Sequence, residues 1–123
     1  GGSAADGAII PIDTNATLEP SGAPLAELLV GPTPSCRNFT DYRSADGEFV
    51  CGTWDSTPYH RRAMFYRHYE LMYLLEGSVT FVDGADATAT FGKGDIFLVE
   101  QGASCSWDSQ VHVKKIYAIY RPA

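Results

Sequence analysis

Apolar residues in this chain recur with a period of two over short runs, and turn-forming residues interrupt every run before a helical period can establish itself. The predicted strands are Arg37–Arg43, Glu48–Asp55, Arg61–Arg67, Glu70–Leu75, Ser78–Val82, Thr88–Phe91, Ile96–Val99, Ser104–Trp107 and Val111–Tyr120. Between them lie Ala45-Asp46-Gly47, Thr57-Pro58, Glu76-Gly77, Asp83-Gly84, Gly92-Lys93-Gly94-Asp95 and Gln101-Gly102. Glycine at Glu76-Gly77 accepts the positive φ of a tight turn, which predicts that Glu70–Leu75 and Ser78–Val82 pair directly as a hairpin. In Arg61–Arg67, Ala63 and Phe65 fall on one face, with Met64 and Tyr66 on the other. Upstream, Leu25–Val30 is predicted as a strand, because Pro24 before it and Gly31-Pro32-Thr33-Pro34 after it leave little room for a helix. The Asn, Ser, Gly and Pro residues between Thr14 and Pro24 indicate a loop. The run Ala8-Ile9-Ile10-Pro11-Ile12, whose proline cannot donate to a ladder, indicates an edge strand or an arm toward a neighbouring subunit. Roughly ten short strands with hairpin-type turns argue for an antiparallel all-β sandwich or barrel.

Length changes this picture little: 123 residues make one domain, with residues 1–24 as arm and loop and 25–120 as the barrel. Charge narrows the partners. Nine Lys and Arg against fifteen Asp and Glu give a net charge of −6, which argues against a nucleic-acid backbone or an anionic membrane as the main partner. No apolar run reaches the roughly 20 residues of a membrane helix, and the N-terminal residues lack the basic and apolar regions of a secretory signal, so the expected location is cytoplasmic. Cys36, Cys51 and Cys105 are odd in number with no Cys-x-x-Cys spacing, which favours reduced thiols over a disulfide framework or a zinc knuckle. Sheet edges and the Ile9–Ile12 segment predict a homodimer.

Two spaced patterns carry a family likeness. Glu70-x6-Gly77, followed by Gly92-x-Gly94-Asp95 and Gly94-x7-Gly102, resembles the paired motifs of the cupin superfamily. From Cys51 to Tyr120 the chain is similar to the small cupins related to ureidoglycine aminohydrolase and to the ethanolamine-utilisation cupin. The likeness rests on Gly52-Thr53-Trp54, Thr57-Pro58, Tyr73-Leu74-Leu75-Glu76-Gly77, Trp107 and Lys115-Ile116-Tyr117. The resemblance implies a double-stranded β-helix, the jelly-roll barrel. It also implies a metal held by a His-x-His pair, the glutamate and a third histidine. Here the pair falls on Met64 and Tyr66, or on Ala63 and Phe65, the third histidine position on Cys105 and the usual proline on Glu100, so that only Glu70 matches. Met, Tyr, Ala and Phe do not replace imidazole for a divalent ion. No metal ligand is therefore assigned, and no cofactor is identified.

Glu70, beside the uncharged run Leu71-Met72-Tyr73-Leu74-Leu75, is the leading candidate for chemistry. In a barrel mouth, desolvation would raise its pKa and suit it to general acid or base work, with Lys115 as the second catalytic candidate. The alternative is a structural carboxylate, paired with Lys115 or hydrogen-bonded to Tyr66. Tyr66, Met64, Met72, Phe97, Cys105, Trp107 and Tyr117 would line a ligand pocket in an open barrel and would be core in a closed one. His60 and His68 could join Glu70 at a metal, whereas His112 shares parity with Lys114 on the outward face. Cys105 has no local base to activate it and reads better as a small buried residue than as a nucleophile. His60-Arg61-Arg62 with Arg67 could rim a pocket for an anionic metabolite or form a solvated strand edge. The expected function is a cupin that binds, and senses or acts on, a small nitrogenous or carboxylate metabolite without the three-histidine site. The alternatives are a metal-dependent ureidoglycine-aminohydrolase-like enzyme and an oligomerising module with a vestigial pocket. Catalysis stays open between them.

Overall fold

A computed structural model describes residues 8–123. Among the described residues there are ten strands: β1 (Glu19–Ser21), β2 (Cys36–Arg43), β3 (Phe49–Ser56), β4 (Tyr59–Phe65), β5 (Tyr69–Glu76), β6 (Ser78–Val82), β7 (Thr88–Gly92), β8 (Ile96–Val99), β9 (Ser104–Ser109) and β10 (Val113–Tyr120). They form two antiparallel sheets, a longer one in the order β1-β2-β3-β10-β5-β8 and a shorter one in the order β4-β9-β6-β7. The result is a jelly-roll barrel, as the resemblance implies. Alternation decides which side chains enter it: along β5, Glu70, Met72 and Leu74 are buried while Tyr69, Leu71 and Tyr73 are exposed. The core between the sheets centres on Leu74, Val79, Phe81, Trp107 and Val113. Each buried aliphatic side chain there contributes roughly 1.5–3 kcal/mol. Among the described residues no helix is long and apolar enough to cross a membrane.

Four expectations are corrected. First, β5 and β6 do not pair; β5 lies between β10 and β8, whereas β6 lies between β9 and β7. Glu76-Gly77 is thus a corner at which a nearly continuous strand leaves one sheet for the other, and the hairpin comes one strand later, between β6 and β7. The corner needs glycine twice over. Gly77 has φ +82°, and a Cβ there would lie 2.1 Å from the His112 carbonyl oxygen. Second, Leu25–Val30 is not a strand but a 3-10 turn, Ala26–Leu28, followed by a single bridge from Leu29 to Arg61. Third, the loop expected between Thr14 and Pro24 contains β1, which pairs with β2 and so belongs to the longer sheet. Fourth, of the two readings of Ile9–Ile12, edge strand or arm, the strand does not form: the segment is irregular, with Ile9 87% exposed. Residues 1–7 of the expected arm lie outside the described residues.

The corner supplies a test. Gly77→Ala should destabilise the fold by roughly 3 kcal/mol or more, combining positive-φ strain with overpacking. Gly47→Ala, at φ +76° with nothing within 4 Å of the new Cβ, should cost only about 1–2 kcal/mol. Urea unfolding of both variants reads the difference, and equal losses would mean that close approach at the corner is not what requires glycine.

Candidate functional site

Six strands, β2, β3, β4, β5, β9 and β10, contribute lining residues to a cavity of about 470 Å³ between the sheets, which the Ser21–Pro24 segment also lines. At its centre is a buried ion pair. Lys115 of β10 starts opposite Leu74 of β5 and reaches back along the sheet to Glu70, its Nζ donating to Glu70 Oε2 at 2.9 Å and to Met72 Sδ at 3.5 Å. The same ammonium sits 4.4 Å from the Trp54 ring centroid and 4.9 Å from that of Trp107, in cation–π contact with both. Glu70 Oε1 faces His68 Nε2 at 3.4 Å, and Arg121 Nη2 lies 3.4 Å from His68 Nδ1. Since a guanidinium only donates, that contact favours the tautomer whose Nε2–H is turned to Glu70. Burial pushes the Glu70 carboxyl up, but Lys115 and His68 together outweigh it and hold the group well below the usual carboxylate range.

The expected direction of the shift is corrected: desolvation alone would have raised this pKa, and the pairing with Lys115, the alternative reading of Glu70, reverses the sign. A carboxyl held low is less suited to proton donation. Tyr66 does not bond to Glu70; its hydroxyl accepts a hydrogen bond from Arg61 Nη2 at 3.0 Å. Burial, the largest influence on both, pushes the Tyr59 and Tyr66 phenols up, so both stay protonated.

Of the predicted lining residues, Met64, Tyr66, Trp107 and Tyr117 line this cavity with Glu70 and Lys115, and Met72 lies beneath the ammonium. Phe97 and Cys105 do not line it. They border a second cavity of about 260 Å³, where Phe97 stacks on Phe91 with centroids 3.9 Å apart. Burial pushes the Cys105 thiol up, against a nucleophilic role. His60 is exposed on β4 and does not line the cavity with Glu70 and His68, and His112 contacts Asp55 and Glu76 instead.

Sequence reasoning places Arg61 only in a basic cluster at a pocket rim or a solvated strand edge, whereas in the structure it is 4% exposed and lines the cavity. Strict alternation puts it on the face of Ala63 and Phe65, opposite Met64 and Tyr66. In the structure Arg61 pairs with Trp107 and Met64 with Cys105, so three steps on β4 match two on β9. That bulge turns Arg61 and Met64 to the same side. The basic cluster is divided accordingly: Arg61 is inside, Arg62 donates to the carbonyls of Glu27 and Leu29, and Arg67 lies over the Phe65 ring. Tyr59, stacked on Trp107 with centroids 5.4 Å apart, and Trp54 are likewise lining residues that the pattern does not single out. Their parity with Arg61 and Gly52 carries no signal until the sheets are assembled.

The metal that the fold implies does not fit these residues. The side of Glu70 that would face a divalent ion is taken by the Lys115 ammonium, and the neighbouring positions offer a thioether and a phenol already engaged with Arg61. Among the described residues no three of His, Cys, Asp and Glu converge as a metal would require.

Known proteins share this architecture. The family model described as EutQ-like cupin domain matches residues 43–117. No curated protein matches the chain. Among solved structures, a protein of unknown function of the DUF861 family from Pseudomonas syringae pv. tomato is similar at 36% identity and TM-score 0.85, over 88% of this chain and 46% of that one. This chain therefore spans about half the length of that protein. The Clostridium difficile EutQ protein superposes with TM-score 0.60 at 11% identity, covering 72% of this chain and 69% of its own. An RmlC-like cupin from Shewanella frigidimarina gives TM-score 0.60 at 11% identity over 90% of each chain. These last two share the fold.

Glu70→Gln should destabilise the protein by about 3 kcal/mol, at the low end for a broken buried pair. Because the folded carboxyl is held below its unfolded value, the wild type should keep this contribution above about pH 5 and lose it as pH falls toward the folded value. The variant should lack that part of the acid limb. Denaturant melts between pH 7 and pH 3 measure both, and superimposable acid limbs would remove the pair from the account.

Proposed function

We propose that this chain, which belongs to the EutQ-like cupin domain family, acts as one small-molecule-binding unit that senses or acts on a small nitrogenous or carboxylate metabolite without a three-histidine metal site. The observation that carries this reading is the Lys115 ammonium seated against Glu70, Trp54 and Trp107: the cation at the centre of the barrel belongs to the chain itself, and a cavity of about 470 Å³ remains beside it. A volume of that size is in the range of small-molecule sites. The ion pair supplies fixed charge, and the paired indoles exclude water around it.

A homodimer belongs to the same proposal. The edge strand β8 presents Ile96, 61% exposed, and Leu98, 58% exposed, beside outward-facing Leu71 and Tyr73. An apolar edge of this kind is commonly covered by a second copy. The cytoplasmic expectation stays with it, supported by the free thiols of Cys36, Cys51 and Cys105.

Two measurements test these statements. In a thermal-shift screen of small acids, ureides and amines, a ligand at 100 times its Kd should add about 2.7 kcal/mol of stability. A chelator should leave the wild-type Tm unchanged. Stoichiometric metal in the purified protein, lost to chelator along with stability and no longer taken up by Glu70→Gln, would instead establish the metal-dependent aminohydrolase-like alternative. For the dimer, light scattering at micromolar concentration should give twice the chain mass, and Leu98→Glu or removal of residues 1–13 should shift it toward monomer; a wild-type monomer refutes association.

A further inference from the structure

Charge is distributed unevenly between this cavity and the rest of the molecule. The chain as a whole carries −6. Among the cavity's lining residues, however, Arg43, Arg61 and Lys115 face a single acid, Glu70. Glu70 is already matched by Lys115, so Arg61 is left as a buried guanidinium with no carboxylate partner among the described residues. A buried charge without a counter-ion is costly, and its retention calls for a reason.

The hydrogen bonds around Arg61 narrow that reason. Nη1 donates to the carbonyl oxygens of Arg62 at 3.2 Å and Cys105 at 3.1 Å, and Nη2 donates to the Tyr66 hydroxyl at 3.0 Å. A guanidinium has five N–H groups, so two remain unused. Tyr66 accepts from Arg61 and keeps its own O–H to give. The Tyr59 hydroxyl has no hydrogen-bond partner among the described residues, although the ring lines the cavity. Each of these unused groups can donate, and the two N–H groups of Arg61 can only donate, whereas the phenolic oxygens also accept. On the acceptor side, both Glu70 oxygens are occupied, by Lys115 and His68. The faces of Trp54 and Trp107, which would otherwise attract an ammonium ligand, hold Lys115.

We propose that this cavity takes small organic anions, a carboxylate seating against the two free N–H groups of Arg61 with the hydroxyls of Tyr59 and Tyr66 as further donors, and that it discriminates against amines and neutral amides. The inference rests on the cavity being the ligand site, as proposed above, and selects between the two classes of metabolite left open there. Carboxylate and guanidinium match as paired donors and acceptors, and such charge-assisted bonds are among the stronger ones available to a protein. The indole and phenol walls would hold the ligand's apolar body.

The protein's two tryptophans, Trp54 and Trp107, both line the cavity, so intrinsic fluorescence reports on it directly. Quenching should be compared for acrylamide, iodide and caesium at constant ionic strength. A net charge of −6 alone would favour caesium over iodide. With each constant divided by that of free N-acetyltryptophanamide, since iodide is intrinsically the stronger quencher of indole, the expected result is the reverse: quenching by acrylamide, and a normalised iodide constant roughly threefold that of caesium, because the cavity's own field dominates. Arg61→Met should bring the ratio to one or below, while Arg61→Lys should retain the iodide preference. At least one of acetate, malonate and benzoate should protect against iodide, and the corresponding amide should not. Tyr59→Phe, which removes a hydroxyl without a partner and should fold normally, should weaken that protection several-fold while leaving the iodide ratio in place. Acrylamide quenching with caesium equal to or above iodide, protection by the amides as well as the acids, or no protection by any of the three acids would overturn the anion inference and leave the cavity reading standing. Failure of acrylamide to quench would overturn the cavity reading itself.

Discussion

Lys115 carries its charge into the space between the sheets, and everything around the cavity is arranged to tolerate it there. Glu70 supplies the counter-charge from β5, Met72 a sulfur contact, Trp54 a ring face from β3 and Trp107 a second face from β9. Three of these groups belong to the longer sheet and one to the shorter, so a single ammonium ties the two layers together. Removing two charges from water costs several kcal/mol per ion, and is offset only when the geometry is good and the remaining polar atoms are satisfied. Both conditions hold for Glu70, whose second oxygen meets His68. Trp107 in turn orders its own neighbours: its indole Nε1 donates to Ser109 Oγ at 3.0 Å, Tyr59 stacks on one face, and Phe81 meets it edge-on at 5.4 Å.

Two irregularities give this barrel its site. The extra residue in β4 turns Arg61 inward without an acid to match it. The corner at Gly77 sends the chain from the sheet that carries Glu70 to the sheet that carries Val79 and Phe81. A regular β4 would have placed Arg61 on the face of Ala63 and Phe65, away from Met64, and a hairpin at Gly77 would have kept β6 in the same sheet as β5. The acidic majority of the chain lies away from the cavity, so a protein that is negative overall encloses a positive pocket. Low-dielectric walls strengthen such a field inside and do little for it outside.

Much of this architecture is legible in the amino-acid sequence. Period-two alternation places Glu70 with Met72 and Leu74, and Lys115 with Tyr117, on buried faces; turn residues divide the chain into strands close to those observed. The likeness of its glutamate, glycine and aspartate spacing to the cupin motifs implies the barrel. These are local properties, set by the pleat and by φ/ψ preferences within a few residues. What alternation cannot say is which strands share a sheet, how far along the barrel an inward residue sits, or where one extra residue reverses the parity. Strand–glycine–strand reads alike for a hairpin and for a corner, which is why the pattern alone mispairs β5 with β6. Phe97 and Cys105 do point inward, but into the other cavity. The site itself depends on contacts between distant residues: Glu70 with Lys115 across 45 positions, Arg61 with Cys105 across 44. Side-chain periodicity along one strand carries no record of its partner, so the sequence determined the strands and most of the faces they bury and offered Lys115 as one possible partner of Glu70, and only the pairing of strands and the packing of the two sheets decided that those charges meet and that Arg61 is left over.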